Sequence, residues 1–292
     1  MGRGRRDDSD AGTIFDLTDA MSELSGKTHT RFFKVILSSL MIEFSNARIS
    51  GKGRRYRSNW SAQTFDRTEL LAAYASRVQT AFADIARFGD RRTLSYDLIE
   101  GDSRVANFSE RPYELVVFSP PYPNSFDYTD VYNIELWMLG YLTDWTSNTD
   151  LRQQTLSSHV QVPRDFSPAP RGSKELDIAV ERLANERDRL WDKRLPEMVG
   201  GYFSDLVEVI MNSSKGLSDG GEFWMVVGDS RYADIDVRVA DILADLMMSR
   251  GAELVEKRAF RSMRASPQQG GRRELAETLV VMRNPSGGLR KG

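Results

Sequence analysis

The segment with the clearest chemical potential is Ser119-Pro120-Pro121-Tyr122, called here the Ser-Pro-Pro-Tyr motif. It contains no strong acid, base or metal ligand, but its serine hydroxyl and the carbonyls of Ser119 and Pro120 can accept hydrogen bonds. Tyr122 supplies a face on which a planar ring can stack. This set suits a planar group that carries an exocyclic amine. Holding such an amine so that its lone pair faces an electrophilic methyl group is catalysis by positioning, which needs no activated nucleophile.

The motif directly follows Leu115–Phe118, an apolar run that predicts a buried strand. Proline cannot donate a hydrogen bond to a sheet, so Pro120 and Pro121 must lie at or beyond the carboxyl end of this strand. Ligands bind outside that end of the strands in open α/β sheets. The sequence therefore predicts that the motif lies at a binding site.

Two other predicted strands end in polar residues. Residues 94–104 predict a short strand that ends in an acidic turn with Asp102 and Ser103, and residues 222–227 predict a strand followed by Asp229 and Ser230. Asp102 can contact a ligand or simply form the turn, and both interpretations have equal weight. Asp229 and Ser230 can line the same sheet edge as the motif or cap the turn that follows.

The order of the predicted helices and strands around these residues indicates a mixed α/β fold. Helices precede the first strand, further helices separate the second and third strands, and one more helix precedes a final pair of strands, 253–260 and 278–282. The loop between the last two strands has no room for a crossover helix, so they are expected to pair antiparallel. The order predicts a right-handed α/β sheet with an antiparallel C-terminal hairpin.

Composition divides the chain into three predicted parts. Residues 1–12 are charged and predicted to be disordered, residues 13–92 form a helical region with a basic loop, and residues 93–292 form the α/β domain. Within the last part, residues 143–200 form a polar and helical insertion after the motif. So long an insertion is usually functional, and it is a candidate for target recognition.

A basic segment with no acidic residue lies in the helical region and comprises Arg48, Lys52, Arg54, Arg55 and Arg57. Such a run is most often a solvated loop, but it can also contact phosphates. Two aromatic residues in and beside it, Tyr56 and Trp60, could stack on bases. The residues alone leave these two interpretations equally weighted.

Composition excludes several classes of function. The 292-residue chain has no cysteine and only two histidines, so we expect no disulfide scaffold, thiol nucleophile or multi-histidine metal site. Its formal charge of −2 gives no global sign of a polyanionic partner. No apolar segment approaches the roughly 20 residues that span a bilayer. The polar N-terminus lacks the apolar core of a signal peptide, so a cytoplasmic protein is expected.

The chain resembles the amino-group DNA methyltransferases that use S-adenosylmethionine and share an (Asp/Asn/Ser)-Pro-Pro-(Tyr/Phe/Trp) motif. The likeness extends from about residue 30 to residue 284, and segments that resemble the family flank the motif at residues 124–137, 157–159 and 226–230. It implies a Rossmann-like methyltransferase sheet. The serine variant of the motif leans towards cytosine N4 over adenine N6. The resemblance also implies double-stranded DNA as the substrate, S-adenosylmethionine as the cofactor, no metal, and a role in host DNA protection.

The resemblance also assigns roles to residues. Ser119 and the Pro120 carbonyl would bind the target amine, Pro121 would complete the motif, and Tyr122 would stack on the base. That base must be flipped out, because an amine inside a duplex cannot reach a cofactor in a closed pocket. By the same resemblance, the remaining candidates are Asp102 and Ser103 for the cofactor, the basic segment with Arg152, Ser158 and His159 for DNA, and Asp127, Tyr128, Asp229 and Ser230 as site-lining residues. On the residues alone, His159 is more often a structural hydrogen-bonding residue.

The family's Gly-rich cofactor loop and its first strands are not found in the sequence. Three explanations are open: a split enzyme with a second polypeptide that supplies the loop, a fragment, or a degenerate member that binds DNA without methylating it. The intact motif favours the split enzyme. A sheet edge left open by the missing strands would also promote unwanted association unless a partner covered it. A non-catalytic DNA-recognition subunit and a methyltransferase for another amine, such as adenine N6, remain the rival functions.

Overall fold

The computed structural model describes residues 10–50, 53–61, 66–93, 96–108, 111–123, 127–264 and 274–290. The chain divides into two compact units. Unit 1 comprises Met1–Asp97 and Tyr128–Thr149, and unit 2 comprises Leu98–Asp127 and Asp150–Gly292. The segment after the motif therefore belongs with the N-terminal unit, whereas the expected division fell near residue 92. The predicted disordered lead lies mostly outside the described residues, and its last residues begin the first helix.

Unit 1 is mainly helical. Its elements are α1 (Asp10–Ser22), α2 (Lys27–Ser38), β1 (Ala47–Ser50), β2 (Gly53–Tyr56), α3 (Arg67–Arg87), α4 (Tyr128–Val131) and α5 (Asn133–Met138). Helix α3 begins where Asp66 accepts a hydrogen bond from the amide of Thr68, which satisfies a free N–H group at the helix start. A small core that includes Leu37, Met41 and Leu70 holds the helices together. Strands β1 and β2 pair antiparallel, so the predicted basic loop is in fact a hairpin.

Unit 2 contains a four-stranded sheet. Its strands are β3 (Tyr113–Phe118), β4 (Leu217–Gly228), β7 (Glu253–Arg264) and β8 (Glu274–Arg283), in the order β3-β4-β8-β7. Strand β3 runs parallel to β4, and the other neighbouring pairs are antiparallel. The predicted antiparallel C-terminal hairpin is confirmed. The mixed sheet with helices is compatible with a methyltransferase fold.

Helices build the core of unit 2. They are α7 (Lys174–Asn185), α8 (Leu195–Ser213) and α9 (Val239–Met248). The chain passes from unit 1 to unit 2 within α6 (Trp145–Gln154). A small hairpin of β5 (Ser230–Tyr232) and β6 (Ile235–Val237) precedes α9. Pro196 lies in the first turn of α8. Backbone N–H groups in a first turn have no acceptor within the helix, so proline breaks no hydrogen bond there. Tyr202, Phe203 and Phe223 are fully buried in the resulting core. Burial of such aromatic side chains contributes roughly 2–3 kcal/mol each.

The predicted first strand of the sheet, residues 94–104, is wrong for the part that the structure describes. Residues 96–104 form turns and irregular chain, and Leu98 and Ile99 are 86% and 54% exposed. A strand persists only where its N–H and C=O groups find a neighbouring strand, and the described chain offers this segment none. The apolar pattern of this segment therefore does not produce a strand among the described residues.

Candidate active site

Parallel pairing of β3 with β4 positions the Ser-Pro-Pro-Tyr motif. The register aligns Phe118 with Met225, so both strands end at the same edge of the sheet. Immediately beyond that edge the Ser119 hydroxyl donates a hydrogen bond to the Val226 carbonyl, 3.1 Å away. Because its proton is used in this bond, the Ser119 oxygen presents its lone pairs to an incoming donor. The serine is therefore oriented as an acceptor.

Tyr122 is held by a residue that the sequence did not single out. Its hydroxyl donates to the Glu277 carboxylate on β8 across 2.5 Å. The Glu277 side chain is only 13% exposed, and its second oxygen lies 3.6 Å from the guanidinium of Arg261. This contact joins positions 155 residues apart, so no local sequence signal could have revealed it. It fixes the direction of the tyrosine ring at the end of the motif.

The two candidate residues after β4 have different surroundings. The buried Ser230 hydroxyl donates to the Pro123 carbonyl at 2.8 Å, which ties this strand end to the segment after the motif. The Asp229 carboxylate accepts a hydrogen bond from the amide of Val239 at the start of α9. Burial raises the pKa of Asp229 to about 6. Ser230 thus contacts the chain next to the motif, and Asp229 caps a helix.

A largely apolar cavity of about 460 Å³ borders the motif within unit 2. Ser103, Phe108, Ser119 and Pro121 are among its lining residues, so a predicted cofactor residue and the motif share one space. The cavity lies within the size range of ligand sites, which are mostly apolar with a few polar groups. Its remaining lining residues are Tyr113, Leu115, Val116, Phe118, Pro120, Leu156, Leu206, Val209 and Ser213.

Asp102 takes part in an ion-pair chain. Its carboxylate accepts hydrogen bonds from the Arg104 guanidinium at 2.7–3.0 Å, and the same guanidinium donates to Asp205 on α8 at 3.0 Å. The bonds from Arg104 lower the pKa of Asp102. Asp205, which is 4% exposed, also accepts from the amide of Ser157. Asp102 thus anchors its own turn, which matches the turn interpretation, while Ser103 faces the cavity.

Asp127, Arg152 and His159 meet in a second buried polar cluster. Arg152 donates a hydrogen bond to the Asp127 carboxylate, and Nε2 of His159 lies 3.4 Å from the same oxygen. Burial lowers the pKa of His159, which favours its neutral form. Ser158 Oγ is 3.3 Å from His159 Nδ1, and both residues are 3% exposed. The structure thus places Ser158 and His159 in this buried cluster, and their contact with DNA stays a prediction.

The candidate DNA-binding arginines of unit 1 divide between structural and exposed roles. Arg57 donates to carbonyl oxygens of Ser45 and Ala47, which fastens the hairpin, and Arg54 pairs with Asp130 at 3.2 Å. Arg48 and Arg55 are exposed and lie opposite each other in the β1–β2 pair, and no side-chain hydrogen bond or ion pair ties their guanidinium groups to another described residue. Lys52 lies outside the described residues.

Aromatic side chains in unit 1 are also exposed. Tyr56 and Trp60 form a pair with ring centroids 5.0 Å apart, and they are 69% and 48% exposed. The candidate site-lining residue Tyr128 lies in α4, where it stacks on Tyr132 with a centroid distance of 6.4 Å. The exposed aromatic pair and the two exposed arginines share one hairpin region.

The described residues contain neither a metal-ligand cluster nor a membrane-spanning helix. No group of three or more histidine, aspartate or glutamate side chains is arranged to hold a metal ion there. No helix in the same part of the chain has the length and apolarity needed to cross a membrane.

The chain is similar to curated Type II methyltransferases. It is 30% identical over 192 residues to the Type II methyltransferase M.AvaI of Nostoc sp. and of Anabaena variabilis, a match that covers 61% of this chain and 39% of each relative. It is 24% identical over 322 aligned positions to the Type II methyltransferase M.BsoBI of Geobacillus stearothermophilus, covering 93% of this chain and 63% of that relative. The chain thus spans less than two thirds of the length of these relatives. No family model and no solved structure matches it.

Proposed function

We propose that this chain is the base-binding part of a DNA methyltransferase that transfers a methyl group from S-adenosylmethionine to the exocyclic amine of a flipped base. The similarity to Type II methyltransferases supports the reaction class. The single observation that carries the proposal is the motif at the carboxyl end of β3, where the Ser119 oxygen is oriented as an acceptor beside a cavity. The substrate is DNA, and the protein acts in the cytoplasm where that DNA lies.

Ser119 and the Pro120 carbonyl bind the amine of the flipped base. The Ser119 hydroxyl donates its proton to Val226, so its lone pairs accept one amine hydrogen. The Pro120 carbonyl accepts the other, and neither Pro120 nor Pro121 has an N–H group that would compete for the amine. With both hydrogens held, the nitrogen lone pair is directed away from the acceptors. Orientation of this kind supplies much of the acceleration in reactions between two bound reactants.

Tyr122 stacks on the flipped base, and its hydroxyl bond to Glu277 keeps the ring in one orientation. Stacking between a base and an aromatic side chain contributes about 1–3 kcal/mol. This gain offsets part of the cost of unstacking the base from the duplex. Glu277 is therefore a positioning residue that acts through Tyr122 and need not touch the base.

The cavity beside the motif fits the apolar part of the methyl donor. Its residues Phe108 and Leu156 offer apolar surface to a planar base, and Ser103 offers a polar contact. When bound, S-adenosylmethionine supplies an electrophilic methyl group on a sulfonium centre. Ser119 and the Pro120 carbonyl would hold the amine while its nitrogen accepts that methyl. The electron pair of the broken carbon–sulfur bond would stay on the donor as a neutral thioether, and the proton lost by the nitrogen would pass to water. Among the described residues, the cavity lining includes no carboxylate for the ammonium group of the donor's amino acid end. We propose that a second polypeptide with a Gly-rich loop completes the cofactor site.

Cytosine N4 is the proposed target atom, on the basis of the serine variant of the motif. Adenine N6 is the alternative within the same chemistry, since it presents the same exocyclic amine to Ser119 and Pro120. The candidate DNA contact is the hairpin region, where Arg48 and Arg55 can neutralise phosphates and Tyr56 can stack on a base. A DNA-recognition subunit without catalytic activity would use the same hairpin but would not need the motif.

Nucleoside mass spectrometry on DNA methylated by the complete enzyme tests the proposal. We expect N4-methylcytosine with the wild-type chain and a loss of roughly 100-fold in kcat with Ser119→Ala, comparable to removal of one oriented hydrogen-bonding group. Ser286→Ala, at an exposed serine in the C-terminal turn, is the matched control and should keep full activity. Unchanged methylation by the Ser119→Ala enzyme would identify the chain as a non-catalytic recognition subunit. Appearance of N6-methyladenine would instead change the target atom.

A further inference from the structure

The Arg104 side chain joins three parts of unit 2. Its Nη1 donates to the Asp205 carboxylate at 3.0 Å, and its Nη2 donates to the Gln154 carbonyl at 3.1 Å and to the Asp102 carboxylate at 2.7 Å. The side chains of Arg104 and Asp205 are only 18% and 6% exposed. A planar guanidinium can bridge several acceptors in fixed directions, which an ammonium group cannot do. Arg104 therefore sets the relative positions of the segments that it joins.

The first of these segments is the turn that carries Ser103. The Asp102 carboxylate accepts a hydrogen bond from the backbone amide of Arg104 at 2.9 Å as well as from its guanidinium, so the turn closes around Ser103. Asn212 on α8 donates to the carbonyls of Ser103 and Ala106 at 3.1 and 2.7 Å. Ser103 lines the cavity beside the motif. This turn is thus a fixed wall of that cavity.

The second segment is the irregular chain that follows α6. It has neither helical nor strand structure, so its backbone groups need other partners, and charged side chains supply them. Asp205 accepts a hydrogen bond from the Ser157 amide at 2.7 Å, and Arg164 donates to the Thr155 carbonyl at 2.8 Å. Leu156 lies between these two anchored residues and lines the same cavity. A second wall of the cavity is therefore held by buried charge.

A turn of the same kind elsewhere in unit 2 provides a comparison. In Asp192-Lys193-Arg194 the arginine binds the aspartate two residues before it at 2.8–3.0 Å, and it donates to the Val160 carbonyl at 2.6 Å. Val160 is fully buried and is not one of the described residues that line the cavity. The two arginines thus make matching bonds, but of these two only Arg104 joins segments that both border the cavity.

We propose that Arg104 is a positioning residue for the methyl donor, because it fixes Ser103 and Leu156, on two separate segments, as walls of one preformed cofactor cavity. This inference rests on the proposed function and deepens it. Arg104 is not itself one of the described lining residues, so it acts through its neighbours. A site whose walls are fixed before binding loses less conformational entropy when its ligand binds. Loss of the Arg104 contacts should therefore weaken cofactor binding more than it slows the chemistry at Ser119.

Plain stabilisation of the fold is the competing role for Arg104. A residue with that role alone would change the free energy of unfolding. It would leave the affinity of the folded protein for the cofactor unchanged at temperatures well below the Tm. Cofactor affinity therefore separates the two roles.

Calorimetric titration of the complete enzyme with S-adenosylhomocysteine, the demethylated donor, is the first test. We expect Arg104→Lys to raise the Kd about 10-fold, as a small change in the shape of an apolar pocket does. KM for S-adenosylmethionine should rise in parallel, with a smaller effect on kcat. Arg194→Lys is the matched control and should bind with an unchanged Kd. An unchanged Kd in the Arg104→Lys enzyme would overturn the proposal.

The second test asks whether Arg104 acts through Leu156. Leu156→Ala should raise the same Kd about 10-fold, because it removes apolar surface from the cavity. Independent effects would multiply to about 100-fold in the double variant, whereas the effects of coupled residues fall short of the product. We expect such a shortfall for Arg104→Lys combined with Leu156→Ala. The full product would show that Arg104 does not act through this wall.

Amide hydrogen exchange gives a readout that needs no cofactor. The Ser157 amide should exchange faster in Arg104→Lys, because its acceptor Asp205 is no longer held by the guanidinium. Asp205→Asn keeps an acceptor for this amide and weakens the contact with Arg104, so it is a second variant that should raise the Kd in the same direction. Faster exchange throughout unit 2, rather than around Ser157, would indicate general destabilisation and overturn the proposal.

The outcomes also separate this inference from the proposed function. A complex that shows the expected pattern of S-adenosylhomocysteine affinities but never methylates DNA would refute the function and leave the role of Arg104 standing. A complex that methylates DNA and binds S-adenosylhomocysteine equally well with arginine or lysine at position 104 would refute the role of Arg104 and leave the function standing.

Discussion

The two edges of the four-stranded sheet are built differently. The β7 edge carries exposed charged residues, among them Glu256, Lys257 and Arg258, and Lys257 pairs with Asp241 on α9 at 2.5 Å. The β3 edge exposes Leu115 and Val117. Charged side chains on an edge strand prevent it from pairing with another strand, and apolar ones do not. β7 also exposes Val255 and Phe260, but its run of charged residues marks the end of a sheet, whereas β3 has the composition of a strand inside one.

The chemistry also lies on the β3 side. The motif and the segment that carries Asp102 directly flank β3 in the chain, although Tyr122 reaches Glu277 on β8. The ion pairs on β7 are exposed, as in the pair of Arg258 with Glu256. Buried charge clusters cost much more to break than exposed pairs, so the two sides should respond differently to equivalent mutations.

The largest expected effect is on stability. Asp205→Ala removes the buried partner of Arg104 and the acceptor for the Ser157 amide, so we expect a loss of about 3 kcal/mol in the free energy of unfolding. Asp241→Ala, the equivalent change on the β7 side, removes a partly exposed pair and should cost less than about 1 kcal/mol. Urea unfolding followed by circular dichroism measures both. Equal losses of unfolding free energy in the Asp205→Ala and Asp241→Ala variants would show that the buried and the exposed ion pairs do not differ in this way.

The next effect is on activity. Tyr122→Ala should lower kcat/KM of the complete enzyme by about 5- to 150-fold, which corresponds to about 1–3 kcal/mol of lost stacking. Tyr122→Phe keeps the ring but loses the bond to Glu277, and its loss should be smaller. Phe260→Ala on β7, where the ring is 50% exposed, is the control and should leave kcat/KM unchanged. A Phe260→Ala loss equal to that of Tyr122→Ala would contradict stacking by Tyr122 as the cause of the effect.

A third prediction concerns Asp229, between β4 and α9. Its folded-state pKa is raised from 3.8 to about 6, so its ionisation opposes folding and this penalty is complete above pH 6. Asp229→Asn keeps an acceptor for the Val239 amide and should stabilise the protein by about 1–2 kcal/mol at pH 8. At pH 4, near the unfolded-state pKa, most of the gain should vanish. Thermal unfolding at the two pH values checks this, with the exposed Asp219→Asn as control.

The smallest effect involves His159. Burial lowers its folded-state pKa below 6.5, so the unfolded state binds a proton first and stability falls as the pH drops below about 6.5. His159→Gln should reduce this acid-side decline in Tm by about 2 °C between pH 7 and pH 5. His29→Gln, at the exposed histidine of unit 1, is the matched control. An identical decline in wild-type and His159→Gln proteins would show that His159 does not titrate in this range.

Much of the architecture could be predicted from local patterns. The strand before the motif and the final hairpin follow from neighbouring residues, and the structure contains both. The prediction that this strand is buried is wrong, because Leu115 and Val117 are 49% and 65% exposed. Residues 96–104 show the limit of this reasoning. Their apolar composition favours a strand, but strand formation depends on a partner that is distant in sequence or on another chain.

The sequence by itself determined the chemistry, because the hydroxyl, the bare carbonyls and the aromatic ring of the motif are consecutive in residues 119–122. Tertiary structure alone decided how these groups are oriented. The bonds from Ser119 to Val226 and from Tyr122 to Glu277 span 107 and 155 residues, and the burial of His159 depends on Asp127 and Arg152. Residue type sets what a group can do, whereas contacts between distant segments set its direction, protonation and exposure.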